Sequence, residues 1–262
     1  MLSASDYYTA ITQSGFPGIC TLPPQGAQRR LEAYLRRIVD KEMPDQGYAV
    51  RRPETLRRWL TAYAAASSQT ASYSSILDST TSGDGYQPAK TTTIAYRDQL
   101  TQLRLLDPVP AWSPALNSPF KWLQFAPKHQ LADPGLAAHL LGLTAQDLGG
   151  SKGAAMAGHL FESLATLSVR VIAEAMDARV GHLRTKAGRQ EVDLIVEAFD
   201  GSVVGVEVKL SAHVTDEHVK HLRWLREQMP DRVSDVMVLY SGKHAYRRSD
   251  GVAVVPLSLL GD

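Results

Sequence analysis

The sequence predicts a two-domain chain of α+β and α/β character, with a helical, winged-helix-like domain over residues 1–150 and an α/β domain over 151–262. Three observations predict it. Apolar residues recur at helical spacing through much of the first half. From about residue 180 the pattern turns to period-two alternation, interrupted by one helical stripe. Between the two regimes lies Gly149-Gly150-Ser151-Lys152-Gly153, the composition of a linker.

In the first half, Leu31, Leu35, Ile38 and Val39 form one apolar stripe. Pro53 suits a first helical turn, with Leu56, Trp59, Leu60 and Tyr63 behind it. A short helix is expected over 73–80 and another over about 91–105, opened by Thr91-Thr92-Thr93 and carrying Ile94, Tyr96, Leu100, Leu103 and Leu106. With Gly83 and Gly85 between them, these two make a helix-turn-helix arrangement. Residues 105–112 and 120–125 would be the strands of a wing, and Thr92, Thr93 and Arg97 would face duplex DNA. A plain helical packing domain is the competing reading.

The second half predicts a helix over 154–177 with Leu160, Leu164, Leu167, Val171 and Met176 as its core members. Strands follow over 180–185, 191–199 and 203–210, with Asp200-Gly201 as the hairpin turn. A helix over 215–229 buries Val219, Leu222 and Leu225, and strands over 233–240 and 252–255 end the chain. The order helix, three strands, helix, two strands is that of an α/β domain.

The totals narrow the function classes. A formal net charge of +1 excludes a generally polybasic chain, so any nucleic-acid contact must be a local patch. The single cysteine, Cys20, cannot form an internal disulfide, and a cytoplasmic location is expected. No apolar run approaches the ~20 residues that span a bilayer, and the first residues lack the pattern of a signal peptide, so no membrane partner is expected.

The chemistry concentrates on the expected hairpin. Alternation sets Glu191, Asp193, Ile195 and Glu197 on one face of the first strand, and Gly205, Glu207, Lys209 and Ser211 on the matching face of the second. The valine and leucine sets between them would bury against a helix, leaving Asp193, Glu207 and Lys209 together on the opposite face. Two carboxylates there would suit Mg2+. The metal would activate a water for phosphodiester cleavage, and Lys209 would orient that water or neutralise phosphorane charge. Glu162, early on the preceding helix, would complete the metal ligands or bind a second ion. The catalytic set is thus Glu162, Asp193, Glu207 and Lys209. The competing reading of any one of these residues is a solvated ion pair.

These residues carry a resemblance. Gly188 to Ile195, then Val206-Glu207-Val208-Lys209-Leu210-Ser211, with His159-Leu160-Phe161-Glu162 upstream, resemble the PD-(D/E)XK nuclease superfamily. More narrowly they resemble the C-terminal region of bacterial and archaeal AAA-type ATPases, domain-of-unknown-function family 4143. Lys128 to Leu136 is similar to the family's link between a helix-turn-helix region and the nuclease-like fold, and Gln13 to Gly18 to the segment after an ATPase lid. The resemblance implies a restriction-endonuclease-like C-terminal domain, DNA binding, and a P-loop ATPase as module or partner. This sequence has no Gly-x-x-x-x-Gly-Lys-[Ser/Thr] element, so no ATP site is expected in it. Two functions stand: a DNA-binding, Mg2+-dependent nuclease-like module, or a non-catalytic DNA- or protein-binding regulatory module acting with a P-loop ATPase.

Other features have bland readings beside sharp ones. His213, His218 and His221 read as a solvated face before a zinc site. The arginines between Arg29 and Arg58 are interleaved with acids and read as a mixed-charge surface before a DNA-backbone contact. Arg184 would meet a phosphate or pair with Glu191. Trp112, Trp122 and Phe125 read as core anchors.

Overall fold

The computed structural model describes residues 2–80, 88–112, 126–185 and 188–260. It divides into two compact units, neither continuous in sequence: one holds Met1–Tyr7, Val109–Lys128 and Phe161–Asp262, the other Tyr8–Pro108 and His129–Leu160. The chain therefore changes unit at Lys128 and again within a helix at Leu160, after the glycine-rich stretch at 149–153. That stretch is a closed turn, in which the Gly153 N–H donates to the Asp147 carbonyl at 2.9 Å.

The second unit is helical. It contains most of α1 (Ala4–Gln13), then α2 (Pro24–Arg37), a π-turn (Ile38–Glu42), α3 (Met43–Asp45), α4 (Pro53–Ala65), α5 (Tyr73–Ser79), α6 (Lys90–Gln102), α7 (Pro134–Leu140) and α8 (Ala145–Gly149). The expected stripes bury: Leu31, Leu35 and Ile38 on the first, and Leu56, Trp59, Leu60 and Tyr63 on α4. Helices α7 and α8 were not anticipated from the sequence. Their caps hold them: Asp133 accepts from the Gly135 N–H at 2.7 Å, and Thr144 with Asp147 closes a capping box. Asp133 also accepts from the Gly15 N–H at 2.8 Å, which ties together the two segments that carried the resemblance outside the hairpin.

On α6 the phase differs from expectation. Ile94 is 41% exposed, while Thr93 is buried and its hydroxyl donates to the Lys90 carbonyl. The expected turn glycines, Gly83 and Gly85, and the expected wing strand over 120–125, with Trp122 and Phe125, lie outside the described residues. The stretch read as the first wing strand is split between the units. Leu106 bridges Leu131 in the helical unit, whereas Val109 bridges Lys128 and Ala111 bridges His182 in the sheet unit.

Among the described residues the sheet unit holds six strands, β1 (Arg179–Arg184), β2 (Glu191–Glu197), β3 (Val203–Lys209), β4 (Val233–Tyr240), β5 (Tyr246–Arg247) and β6 (Ala253–Pro256), in the spatial order β1-β2-β3-β4-β6-β5. The first three form an antiparallel meander, β3 then runs parallel to β4 and β4 to β6, and β5 closes the far edge antiparallel. A β3–β4 parallel step requires a crossover, which is α10 (Asp216–Gln228). Val219, Leu222 and Leu225 of α10 join Val203, Ile195, Val236, Val238 and Val254 in one core, where Trp112 also lies. Trp112 is thus the core anchor its sequence context predicted, its indole N–H donating to Glu197 at 3.1 Å.

Helix α9 (Ala154–Ala175) corrects the expected stripe. Its buried apolar residues are Ala157, Leu160, Phe161, Ala165, Val169 and Ala173, while Val171 and Met176, assigned to the core from sequence, are 61% and 73% exposed. Small residues at i, i+4 spacing define the buried face, and hydropathy gives them less weight than the leucines one position away.

Candidate functional site

The site grows from an irregularity in β2. Between Gly181 and Leu183 the β1 chain advances two residues, but their partners run from Ile195 to Val192, three residues, so β2 holds an extra residue at Asp193–Leu194. The bulge turns Val192 and Ile195 into the same apolar core. It also ends the β2–β3 pairing at Leu194–Val206. The next β3 amide that would seek β2, the Val208 N–H, donates instead to Asp193 Oδ2 at 2.9 Å. An aspartate, poorly suited to a strand interior, is accommodated here because its carboxylate replaces a ladder acceptor.

Glu207 and Lys209 sit on the same face of β3 as Gly205. A Cβ added at Gly205 would lie 2.7 Å from Leu225 and 3.3 Å from Leu222, so this is the face that α10 covers. The expectation that the acidic face lies opposite the helix-packed face is therefore overturned. β3 is central, flanked by β2 and β4, and both of its faces are covered. Asp193 and Glu207 are buried at 7% and 3% exposure.

The four residues expected to share chemistry do converge. Lys209 Nζ lies 2.9 Å from Glu207 and 3.7 Å from Asp193. Glu162, from α9, arrives through a residue that sequence reasoning did not select. The Lys128 ammonium donates to Glu162 Oε1 at 2.7 Å and to Asp193 Oδ1 at 2.8 Å, and stands 3.7 Å from Glu191. Lys128 is 1% exposed. Its separation from these partners, 34 and 65 residues, leaves no local pattern to find; the one available signal was a lysine in a stretch that otherwise buries, His129-Gln130-Leu131.

The electrostatics follow from burial and pairing. Burial opposes charge on Lys128, but the carboxylates of Asp193 and Glu162 outweigh it and hold the ammonium above its ordinary range. Lys209 is likewise held up by Asp193 and Glu207 against the cost of burial. Burial would raise Asp193; Lys128 and Lys209 reverse this and keep it ionised well below the usual range. Glu162 is pushed up to about 7, by burial first and by the Asp193 charge second. Glu207 is likewise raised well above the ordinary range, by burial first and by the Asp193 charge second. Two ammonium groups thus face one firmly ionised carboxylate and two that hold protons readily.

This arrangement does not fit Mg2+. Magnesium asks for octahedral oxygen ligands at about 2.0–2.1 Å. One oxygen of Asp193 is taken by Lys128 and the other by the Val208 N–H. Glu162 is taken by the same ammonium, and Glu207 by Lys209 at 2.9 Å.

The remaining expected contacts are placed as follows. Arg184 pairs with Glu191 at 3.7 Å, directly across the β1–β2 ladder. Arg97 bonds Asp98 and lies over the Tyr73 ring, 5.3 Å from its centroid. Thr92 stays half-buried near the start of α6. His218 accepts from the Thr215 N–H as part of the α10 cap, and His221 bonds Gln190, so these histidines serve local structure. No helix of the described residues is long and apolar enough to cross a membrane.

Comparison with known families adds two matches. A model described as Domain of unknown function (DUF4143) matches residues 157–260, the stretch that contains Glu162, the meander and α10. A second, described as Domain of unknown function (DUF8612), matches residues 4–147, more than half of the sequence. No curated protein and no solved structure matches.

Proposed function

The chain belongs to the DUF8612 family, with a DUF4143-like region following, and from this we propose that it is a non-catalytic regulatory module of an AAA-type ATPase system, built on a nuclease-like scaffold. The DUF4143 match supports the association with an AAA-type ATPase, acting as a partner or as another module of the same protein. The order α9, meander, α10 and parallel β4 supports the scaffold.

One observation carries the non-catalytic reading: the acidic cluster is closed on itself. Each carboxylate of the expected catalytic set is bonded inside the protein, and Asp193 and Glu207 are buried. A phosphodiester needs a ligand-free metal position and an open approach to it. The arginines expected to meet DNA are paired at the surface, Arg97 with Asp98 and Arg184 with Glu191.

The purified chain is tested on supercoiled plasmid and on labelled duplex in Mg2+ or Mn2+. The expected result is no more cleavage than Asp193→Asn gives. Metal-dependent cutting that Asp193→Asn abolishes overturns the reading. In parallel, anisotropy of the labelled duplex across a salt series reports DNA binding, which is expected to be absent at physiological salt.

A further inference from the structure

We propose that Lys128 stands in for a divalent cation, so that Glu162 and Asp193 are assembled about a covalently tethered charge and the cluster refuses metal ions. The inference rests on the non-catalytic reading above and deepens it by naming what regulates the site.

The geometry points to substitution more than to a chance ion pair. The ammonium lies between two carboxylates from different elements, 2.7 Å from Glu162 on α9 and 2.8 Å from Asp193 on β2, and 3.7 Å from Glu191. Bridging carboxylates from a helix and a strand is the task a bound cation would perform. Lys128 cannot readily leave. Its backbone is fixed to Val109 by a reciprocal pair of bonds, the Val109 N–H to the Lys128 carbonyl at 2.9 Å and the Lys128 N–H to the Val109 carbonyl at 3.0 Å. Its side chain is 1% exposed. A lysine is also the right chemistry, a compact charge with three donors on a long stem, able to enter where a planar guanidinium would need more room. Lys209 balances the far side, beside Glu207 and 3.7 Å from Asp193. A divalent ion entering this cluster would meet two ammonium groups and would have to displace one.

A lysine that merely filled a structural pair would leave nothing behind for a metal when removed. One that replaces a metal would leave a metal site. The test is Lys128→Met, which keeps the apolar stem and deletes the charge. Isothermal titration with Mn2+ should show no site in the wild-type chain and one site per chain in Lys128→Met, with Kd at least about tenfold tighter than any residual wild-type binding. The site should vanish in the Lys128→Met/Asp193→Asn double variant. Circular dichroism with and without Mn2+ accompanies each titration. Lys128→Met that folds only when Mn2+ is present supports the proposal. A folded Lys128→Met that takes up no Mn2+, or one that stays unfolded with Mn2+, overturns it. Wild-type Mn2+ uptake that depends on Asp193 but brings no DNA cleavage overturns this inference and leaves the non-catalytic reading standing. Metal-independent cleavage by the wild type does the reverse.

Discussion

At the scale of single residues, the two lysines of the cluster are not equivalent. Lys128 is fully enclosed and bonds two carboxylates, whereas the Lys209 side chain is 32% exposed and has water on one side. Removing one partner of a buried pair leaves an uncompensated charge, at a cost of about 3–5 kcal/mol. A partly solvated partner costs about 1 kcal/mol. Urea unfolding should therefore rank Lys128→Ala well below Lys209→Ala in stability, and equal losses would show that Lys128 is not the organising charge. The sequence made part of this legible. Asp193 stood out because strands disfavour aspartate, and Glu207-Val208-Lys209 because alternation sets its two charged ends on one face. Lys128 did not, because no spacing rule connects a residue to partners that only tertiary folding brings near.

At the scale of elements, every strand anticipated in the second half exists, and the boundaries shift by one or two residues, the usual fraying of element ends. Which faces are covered was less legible. Period-two alternation separates two faces of β3 but does not say that both are covered, which follows from β4 lying parallel beside it and α10 crossing over. Gly205 is where this shows. With no side chain it admits Leu225 and Leu222 of α10 onto the strand that carries Glu207 and Lys209. Gly205→Val should overpack this contact and destabilise by about 1–3 kcal/mol. Because the nearest atom is the far end of a leucine, Leu225→Ala should recover part of the loss. A double-mutant cycle by chemical denaturation checks it: additive losses would mean that the helix does not press on Gly205. The exposed two-residue strand β5 and the capped helices α7 and α8 escaped notice for a different reason, being too short for periodicity to accumulate.

At the scale of the whole molecule, burial of charge makes stability a function of pH, with contributions of opposite sign. Glu162 has a raised carboxyl, from an ordinary 4.5 to about 7. Over that interval the folded chain keeps a proton that the unfolded chain releases, so stability is full below about 4.5 and falls as pH rises toward 7, by about 3 kcal/mol. His182, fully buried on β1, is lowered from 6.5 to about 4, by burial first and by the Lys128 charge second. Here the unfolded chain holds the extra proton, so stability rises as pH climbs through the same range, by about 3 kcal/mol. The two nearly cancel in the wild type, and Asp193, lowered by its lysines, adds a loss only in acid below its ordinary 3.8. Subtracting profiles separates them. Glutamine at 162 has no proton to lose, so the stability of the wild type minus that of Glu162→Gln should be level below pH 4, decline between about 4.5 and 7, and level off above. The Glu162→Gln chain, with the histidine term uncovered, should rise steeply in stability over pH 4 to 6.5. Urea titrations of both chains across pH 4–8 measure this. A difference that rises as pH climbs above 4 would mean that Glu162 is ionised throughout in the folded chain, and that Lys128, not the burial it shares with Asp193, governs its charge.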